Sequence, residues 1–186
     1  MTCIVGLIDR GRVYLGGDSC ASIGWQEKYQ LNTTTPKVYR LGQMIIGSAG
    51  DFRALQLVAH CIDLPVQTEG QTDHAYMIAV LSTKIRDLLK DSGQTRTEDS
   101  KESTDTEFLV GYHGNLYRIG PDFSVIQRPE VFDAIGSGGP FALGALEALK
   151  DVDMKPKARI KAALSIAARF ASGVDENVVI LKEGAA

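Results

Sequence analysis

Residues 1–18 read MTCIVGLIDRGRVYLGGD. Residues 3–9 (CIVGLID) and 12–18 (RVYLGGD) are short runs of β type, and Arg10-Gly11 between them marks a tight turn, with Gly11 supplying the backbone freedom it needs. The two runs form a hairpin. Because the strands run antiparallel, a second strand ending in Gly16-Gly17-Asp18 can return a carboxylate to the start of the first, beside Thr2.

Working outward, residues 19–36 (SCASIGWQEKYQLNTTTP) are polar and irregular, and strand character resumes at 37–41 (KVYRL). Leu41-Gly42-Gln43 predicts a turn, and 44–50 (MIIGSAG) a buried strand entering a glycine corner. Asp51 is placed to cap a helix over 52–63, and Asp73 one over 74–90 with Tyr76, Ile78, Leu81, Ile85 and Leu88 among its core residues. The stretch 91–107 is the least hydrophobic of the chain and reads as a solvated loop. Strands follow at 108–112, at 115–119 after a His113-Gly114 turn, at 123–127 and at 131–135. The glycine-rich turn at 136–140 (GSGGP) then opens a helix over 141–150, with Pro140 in its first turn. Pro156 opens another over 157–171, and 177–182 (NVVILK) is the last strand. Strands, two helices, strands, two helices and a strand form segregated runs. That order predicts an α+β fold of stacked antiparallel sheets covered by helices, not an alternating parallel sheet.

The composition sets few further constraints. A chain of 186 residues with 44% hydrophobic and 23% charged residues suits one globular domain, 1–186, with enough apolar material for a substantial core. A formal net charge of -3 offers no strong field for nucleic acid or an anionic membrane. Arg10 and Arg12 interrupt the N-terminal apolar runs, so no secretory signal is read there, and no segment approaches the apolar length of a membrane span. Three scattered thiols, Cys3, Cys20 and Cys61, have no metal-ligand spacing, and their odd number fits a reducing compartment. The expectation is a cytoplasmic protein with neither metal nor cofactor. The glycine turn is not a phosphate loop, because it lacks the Gly-Lys-Ser/Thr ending and G-x-G-x-x-G fails at Phe141.

Thr2 is the first residue with chemical promise. A threonine hydroxyl is a weak nucleophile at neutral pH, whereas an α-amino group titrates at about 7.7–8.0. Once Met1 is removed, which a small second residue permits, nucleophile and base reside on one residue. Cys3 is a weaker rival, since both Met1 and Thr2 would have to be lost and its side chain would point to the opposite face of the strand. His60 and His74 fall in helical patterns and His113 in a turn, so all three read as structural.

T-x-I-V-G at the N-terminus, GGD at 16–18, KVYRL at 37–41, IIGSAGD at 45–51, AIGSGGPFALGAL at 134–146 and a closing VVIL strand together resemble the proteasome β-subunit and HslV peptidase family. The resemblance runs in register from residue 2 to about 182. It implies a four-layer αββα sandwich of the N-terminal nucleophile hydrolase type. It also assigns roles: Thr2 as nucleophile, Lys37 as the cation beside its hydroxyl, and Asp18 as the partner of that lysine. Gly47 is similar to the oxyanion-hole glycine, and Ser137 to the serine that hydrogen-bonds the terminal amine. Ile45 and Ala49, with Cys20, correspond to the lining of the pocket before the scissile bond, which is apolar.

The resemblance further implies stacked hexameric or heptameric rings, unfolded protein substrates, and a separate ATP-driven unfoldase, since this chain holds no nucleotide-binding motif. One departure stands out. Many members carry an aspartate after the last long helix, where this chain has Arg169 or Phe170, followed by Ser172-Gly173. A cation there would disfavour protonation of a nearby amine, leaving open a catalytically silent ring or scaffold subunit. A small-molecule amidase with an enclosed pocket is the other alternative.

Overall fold

The computed structural model describes residues 1–23, 27–31 and 35–184. The opening hairpin forms as expected, from β1 (Ile4–Asp9) and β2 (Arg12–Asp18), paired from Ile4↔Gly17 to Asp9↔Arg12. Both turn residues adopt positive φ, 49° at Arg10 and 69° at Gly11, the geometry that matches the twist of a two-residue hairpin. The segment after Asp18 is not irregular throughout. It folds back on itself as β3 (Cys20–Ile23) and β4 (Glu27–Gln30), with Cys20 opposite Gln30. Residues 24–26 and 32–34 of the polar 19–36 segment lie outside the described residues.

Next come β5 (Val38–Leu41) and β6 (Met44–Ala49), joined through Gly42 at φ 57°. Helix α1 (Phe52–Cys61) starts on the Asp51 cap, whose carboxylate accepts from the amides of Arg53 at 2.6 Å and Ala54 at 3.4 Å. The second helical stretch departs from expectation in two ways. Its cap is Thr72, which accepts from the Ala75 amide at 3.2 Å, and Asp73 is already helical. Helix α2 (Asp73–Tyr76) runs through a π-helical stretch (Met77–Ser82) into α3 (Thr83–Asp91). Met77, Leu81, Ile85 and Leu89 form the buried stripe, while Ile78 is 49% exposed and Leu88 only half-buried. A π turn inserts a residue into the helical period, which changes the facing positions relative to a regular helix.

The polar 91–107 stretch is likewise more ordered than its composition suggests. It contains a small hairpin, β7 (Arg96–Glu98) and β8 (Lys101–Ser103), and it buries Thr104 and Thr106. Strands β9 (Glu107–Tyr112), β10 (Asn115–Ile119), β11 (Val125–Ile126) and β12 (Phe132–Ile135) follow. Helices α4 (Gly139–Ala148) and α5 (Pro156–Phe170) each begin with a proline in the first turn, and β13 (Val178–Lys182) closes the chain.

Two sheets result, in the orders β12-β1-β2-β13 and β11-β10-β9-β6-β5. Three clusters of buried side chains separate four layers. Met77, Leu81, Ile85 and Leu89 pack with Ile46, Phe108 and Val110, placing α1 to α3 on the outer face of the second sheet. Ile160, Leu164 and Ala167 pack with Cys3, Val5 and Leu7, placing α4 and α5 on the outer face of the first. Ile4, Val13 and Leu15 meet Ile45, Leu109 and Leu116 between the sheets. Alternation along β1 therefore sends odd residues to the helices and even residues to the inter-sheet seam. The four layers form the αββα sandwich that the resemblance implies. Among the described residues no helix is long and apolar enough to cross a membrane.

Candidate active site

Thr2 lies two residues before the first residue of β1, in phase with Ile4, so it stands at one end of the seam between the sheets. Three segments converge on it. The antiparallel pairing of β2 returns Asp18 to the start of β1, where the Cys3 amide donates to Asp18 Oδ1 at 2.8 Å. The Cys20 amide donates to Asp18 Oδ2 at 3.1 Å, and Lys37 Nζ to the same oxygen at 2.9 Å. Lys37 lies just before β5, the edge strand of the second sheet, and so crosses from one sheet to the other. Both members of this pair are buried, Lys37 at 4% exposure and Asp18 at 1%.

Burial raises the Asp18 carboxyl above its ordinary value, and the Lys37 ammonium with the Cys3 and Cys20 amides pulls it back down. The carboxylate thus depends on those partners for its charge, and it fixes the position of the ammonium. Lys37 Nζ also donates to the carbonyl oxygen of Met1 at 3.2 Å, and Thr2 Oγ1 donates to that same oxygen at 2.7 Å. Hydroxyl and ammonium therefore meet at one oxygen atom.

The third segment is the glycine turn between β12 and α4. The Thr2 amide donates to Ser137 Oγ at 3.2 Å, and the Gly138 amide donates to the Thr2 carbonyl at 3.1 Å. Gly136 has φ +83°, and a Cβ built on it would stand 2.4 Å from the Thr2 carbonyl oxygen. Only glycine permits both that conformation and that approach. Behind the site, a Cβ on Gly47 would fall 2.4 Å from Ile4 Cγ2, so β6 can pass close beneath β1 only with glycine there. The Ser48 amide donates to the Lys37 carbonyl at 3.0 Å. By strand alternation the Gly47 amide then faces β9.

Of the residues expected to act on the substrate bond, Thr2, Asp18, Lys37 and Ser137 are thus brought to one corner, whereas Gly47 packs beneath it with its amide toward β9. The expected pocket residues divide. Ala49 reaches the site, its Cβ 3.1 Å from where a Gly136 side chain would begin. Ile45 is fully buried in the seam, and Cys20 enters through its amide on Asp18 with its own side chain buried.

Arg169 lies in the last turn of α5. It is exposed and lies over the Phe170 ring, 5.8 Å from the centroid, while Ser172-Gly173 faces Met1. Cys3 points into the helix-side core, and burial pushes its thiol up to about 12, which leaves it inert as a nucleophile. Sequence reading missed Asp175, whose Oδ1 accepts from the Ser19 amide at 3.1 Å and ties the chain after Asp18 to the link before β13. A single aspartate in a short polar link carries no local signal of that role.

No protein-family model matches the chain. Among curated proteins, the ATP-dependent protease subunit HslV of Enterococcus faecalis is 26% identical over 184 residues, which is 96% of this chain and 94% of the relative. The protein of the same name from Pediococcus pentosaceus is 25% identical over 185 residues, covering 97% of this chain and 93% of the relative. Among solved structures, Thiobacillus denitrificans BPH in complex with epoxomicin matches with a TM-score of 0.80 at 19% identity, over 100% of both chains. Eukaryotic HslV from Trypanosoma brucei matches with a TM-score of 0.69 at 21% identity, over 98% of this chain and 100% of that one. At those identities the solved structures speak for the fold, and the curated relatives extend the likeness to nearly the whole sequence.

Proposed function

We infer that this chain is an N-terminal nucleophile hydrolase of the HslV kind, a threonine peptidase subunit of a ring assembly that becomes active when Met1 is removed. The observation that carries this reading is the convergence of the Thr2 hydroxyl and the Lys37 ammonium on the Met1 carbonyl oxygen, with Asp18 holding the lysine. In the unprocessed chain that carbonyl occupies both catalytic groups, and the Thr2 nitrogen is an amide with no basicity. Removal of Met1 frees all three.

The chemistry then follows from the residues. The Thr2 α-amine, beside Ser137 Oγ, takes the hydroxyl proton as the oxygen attacks a peptide carbonyl. Lys37 stabilises the developing alkoxide, and its position is set by a carboxylate it cannot leave without stranding a buried charge. The proton passes from the amine to the departing nitrogen. Water then hydrolyses the Thr2 ester, with the amine again acting as base. The resemblance gives the oxyanion to the Gly47 amide, whereas the register of β5, β6 and β9 turns that amide toward β9.

The assembly reading extends the same inference. The curated relatives are named as subunits of an ATP-dependent protease. We place this chain in stacked rings fed by a separate ATP-driven unfoldase in the cytoplasm, acting on unfolded proteins. The silent-subunit alternative rested on Arg169 and on a retained Met1, and Arg169 is exposed and turned onto the Phe170 ring.

Intact mass of the purified protein tests the activation step, since the active form must begin at Thr2. A peptidyl electrophile directed at threonine should then add once per processed chain and not at all to chains retaining Met1. Fully processed protein that neither reacts nor cleaves an unfolded polypeptide would overturn the assignment.

A further inference from the structure

We propose that the niche filled by the Met1 side chain becomes, once Met1 is removed, the subsite for the substrate side chain on the leaving-group side of the scissile bond. It selects an unbranched apolar side chain of about methionine's length. The proposal rests on the threonine-peptidase reading above and deepens it.

The niche is a built feature of the fold. A Cβ placed on Gly173 would have Met1 Cβ, Cε and Cγ as its three nearest neighbours, at 2.2, 2.7 and 3.0 Å. Absence of a side chain at Gly173 is therefore what makes room for methionine. Ser172 Oγ stands 3.5 Å from the Met1 sulfur at the rim. The wall is fixed to the scaffold: the Ala171 amide donates to the Ala167 carbonyl at 2.8 Å, and the Val174 amide to the Ala171 carbonyl at 3.1 Å. Ala171 and Val174 are themselves buried with Cys3 against α5. Such a wall holds its shape when its occupant departs.

Its place relative to the chemistry identifies what enters it. Met1 is bonded to the Thr2 nitrogen, which becomes the free α-amine. In peptide cleavage the Thr2 oxygen bonds to the acyl carbon and the carbon–nitrogen bond of the substrate breaks. The hydroxyl proton travels through the α-amine to the departing nitrogen. That transfer requires the leaving group to lie within hydrogen-bond reach of the amine. The residue after the scissile bond is thus delivered to the side of Thr2 that Met1 occupied. The Gly173 backbone lies against the first side-chain carbon, which disfavours branching there, and the rest of the Met1 side chain, 39% exposed, runs along the Ser172–Gly173 surface.

The test uses the assembled protein, with intact mass confirming Thr2 as the first residue. Internally quenched peptides share every residue except the one after the scissile bond, which is Gly, Ala, Val, Leu or Met. Met should exceed Gly by about tenfold in kcat/KM, the scale on which an apolar pocket discriminates, with Val below Met. Gly173→Ala places a methyl group in the vacated niche, and Gly173 has no positive φ that alanine would strain. This variant should lose the Met preference, bringing the Met and Gly peptides within about twofold of each other. Ser172→Val, which narrows the niche from its rim, should lower the Met preference in the same direction and serves if the alanine variant fails to assemble. Equal rates across the peptide set, or a uniform slowing of all peptides by Gly173→Ala, would overturn the subsite and leave the peptidase reading standing. No cleavage of any peptide by processed protein would overturn both.

Discussion

Thr2 supplies nucleophile and base together, while its methyl group adds little to the packing of the seam. Thr2→Ala should therefore abolish peptide hydrolysis, by several orders of magnitude in kcat, and leave the assembly intact by sedimentation. Lys37→Ala should be nearly as damaging and should also weaken the fold by about 3 kcal/mol or more, because Asp18 stays buried without its ammonium. Lys37→Arg should not rescue activity: a guanidinium fork does not fit where a compact ammonium contacts two oxygens. Full activity in either lysine variant would reduce Lys37 to a structural charge. The α-amine sets the pH response, so kcat/KM should climb with its midpoint at about pH 7.7–8.0, where half of that amine is neutral. Asp18 contributes to stability with its own sign. Burial raises its folded value above 3.8, so between 3.8 and the raised value the folded chain holds more protons than the unfolded chain. Through that window this group adds stability as pH falls, and Asp18→Asn should remove the trend from thermal unfolding curves. Thiol alkylation gives a complementary check. It should mark exposed Cys61 without loss of activity, since Cys3 is buried with its thiol pushed up to about 12.

At the scale of elements, the hairpin, the edge strand β5 and the glycine turn each deliver one part of the corner. Gly136→Ala tests the turn. It would force a side chain onto a left-handed backbone and into the Thr2 carbonyl. The expected result is loss of most activity from displacement of Thr2, with the α4 helix still formed by circular dichroism; parental kcat would mean the turn is not what positions Thr2. By contrast, Asp51→Ala removes the α1 cap without touching a hydrogen bond of the corner, and should cost about 1 kcal/mol of stability with kcat unchanged. Other elements were harder to foresee. The π stretch at Met77–Ser82 and the hairpin of β3 and β4 leave weak sequence signals. A π turn is set by how the helix seats on its sheet, and β3 carries only four residues without an apolar alternation.

For the whole molecule, the reading requires a double ring and not a 20.1 kDa monomer. Exposed Phe141 and Phe170 stack at 5.7 Å on the outer helix layer, leaving apolar surface that a neighbouring subunit would cover. Sedimentation at micromolar concentration should show a particle of twelve or fourteen chains. A fully active monomer or plain dimer would contradict a chamber and favour the small amidase. The pocket before the scissile bond should prefer medium apolar residues, because Ala49 presents only a methyl group there. A peptide library cut mainly after Lys, Arg, Asp or Glu would refute that preference.

The sequence by itself determined the order of the elements and the opening hairpin, while the family resemblance of its short motifs implied the four layers and the polar groups at the corner. These are written in local signals: a turn dipeptide, strand alternation, helix caps and short motifs whose spacing survives in one dimension. It did not decide which of Ile45, Ala49 and Cys20 faces the site, since that depends on how the second sheet lies against the first. Nor could it settle Arg169, because a helix end can present a side chain to the amine or to a neighbouring ring. The tertiary structure turned it onto Phe170. The niche beneath Met1 belongs to the same class: a space created by the absence of a side chain at Gly173 exists only once two segments 172 positions apart are packed together.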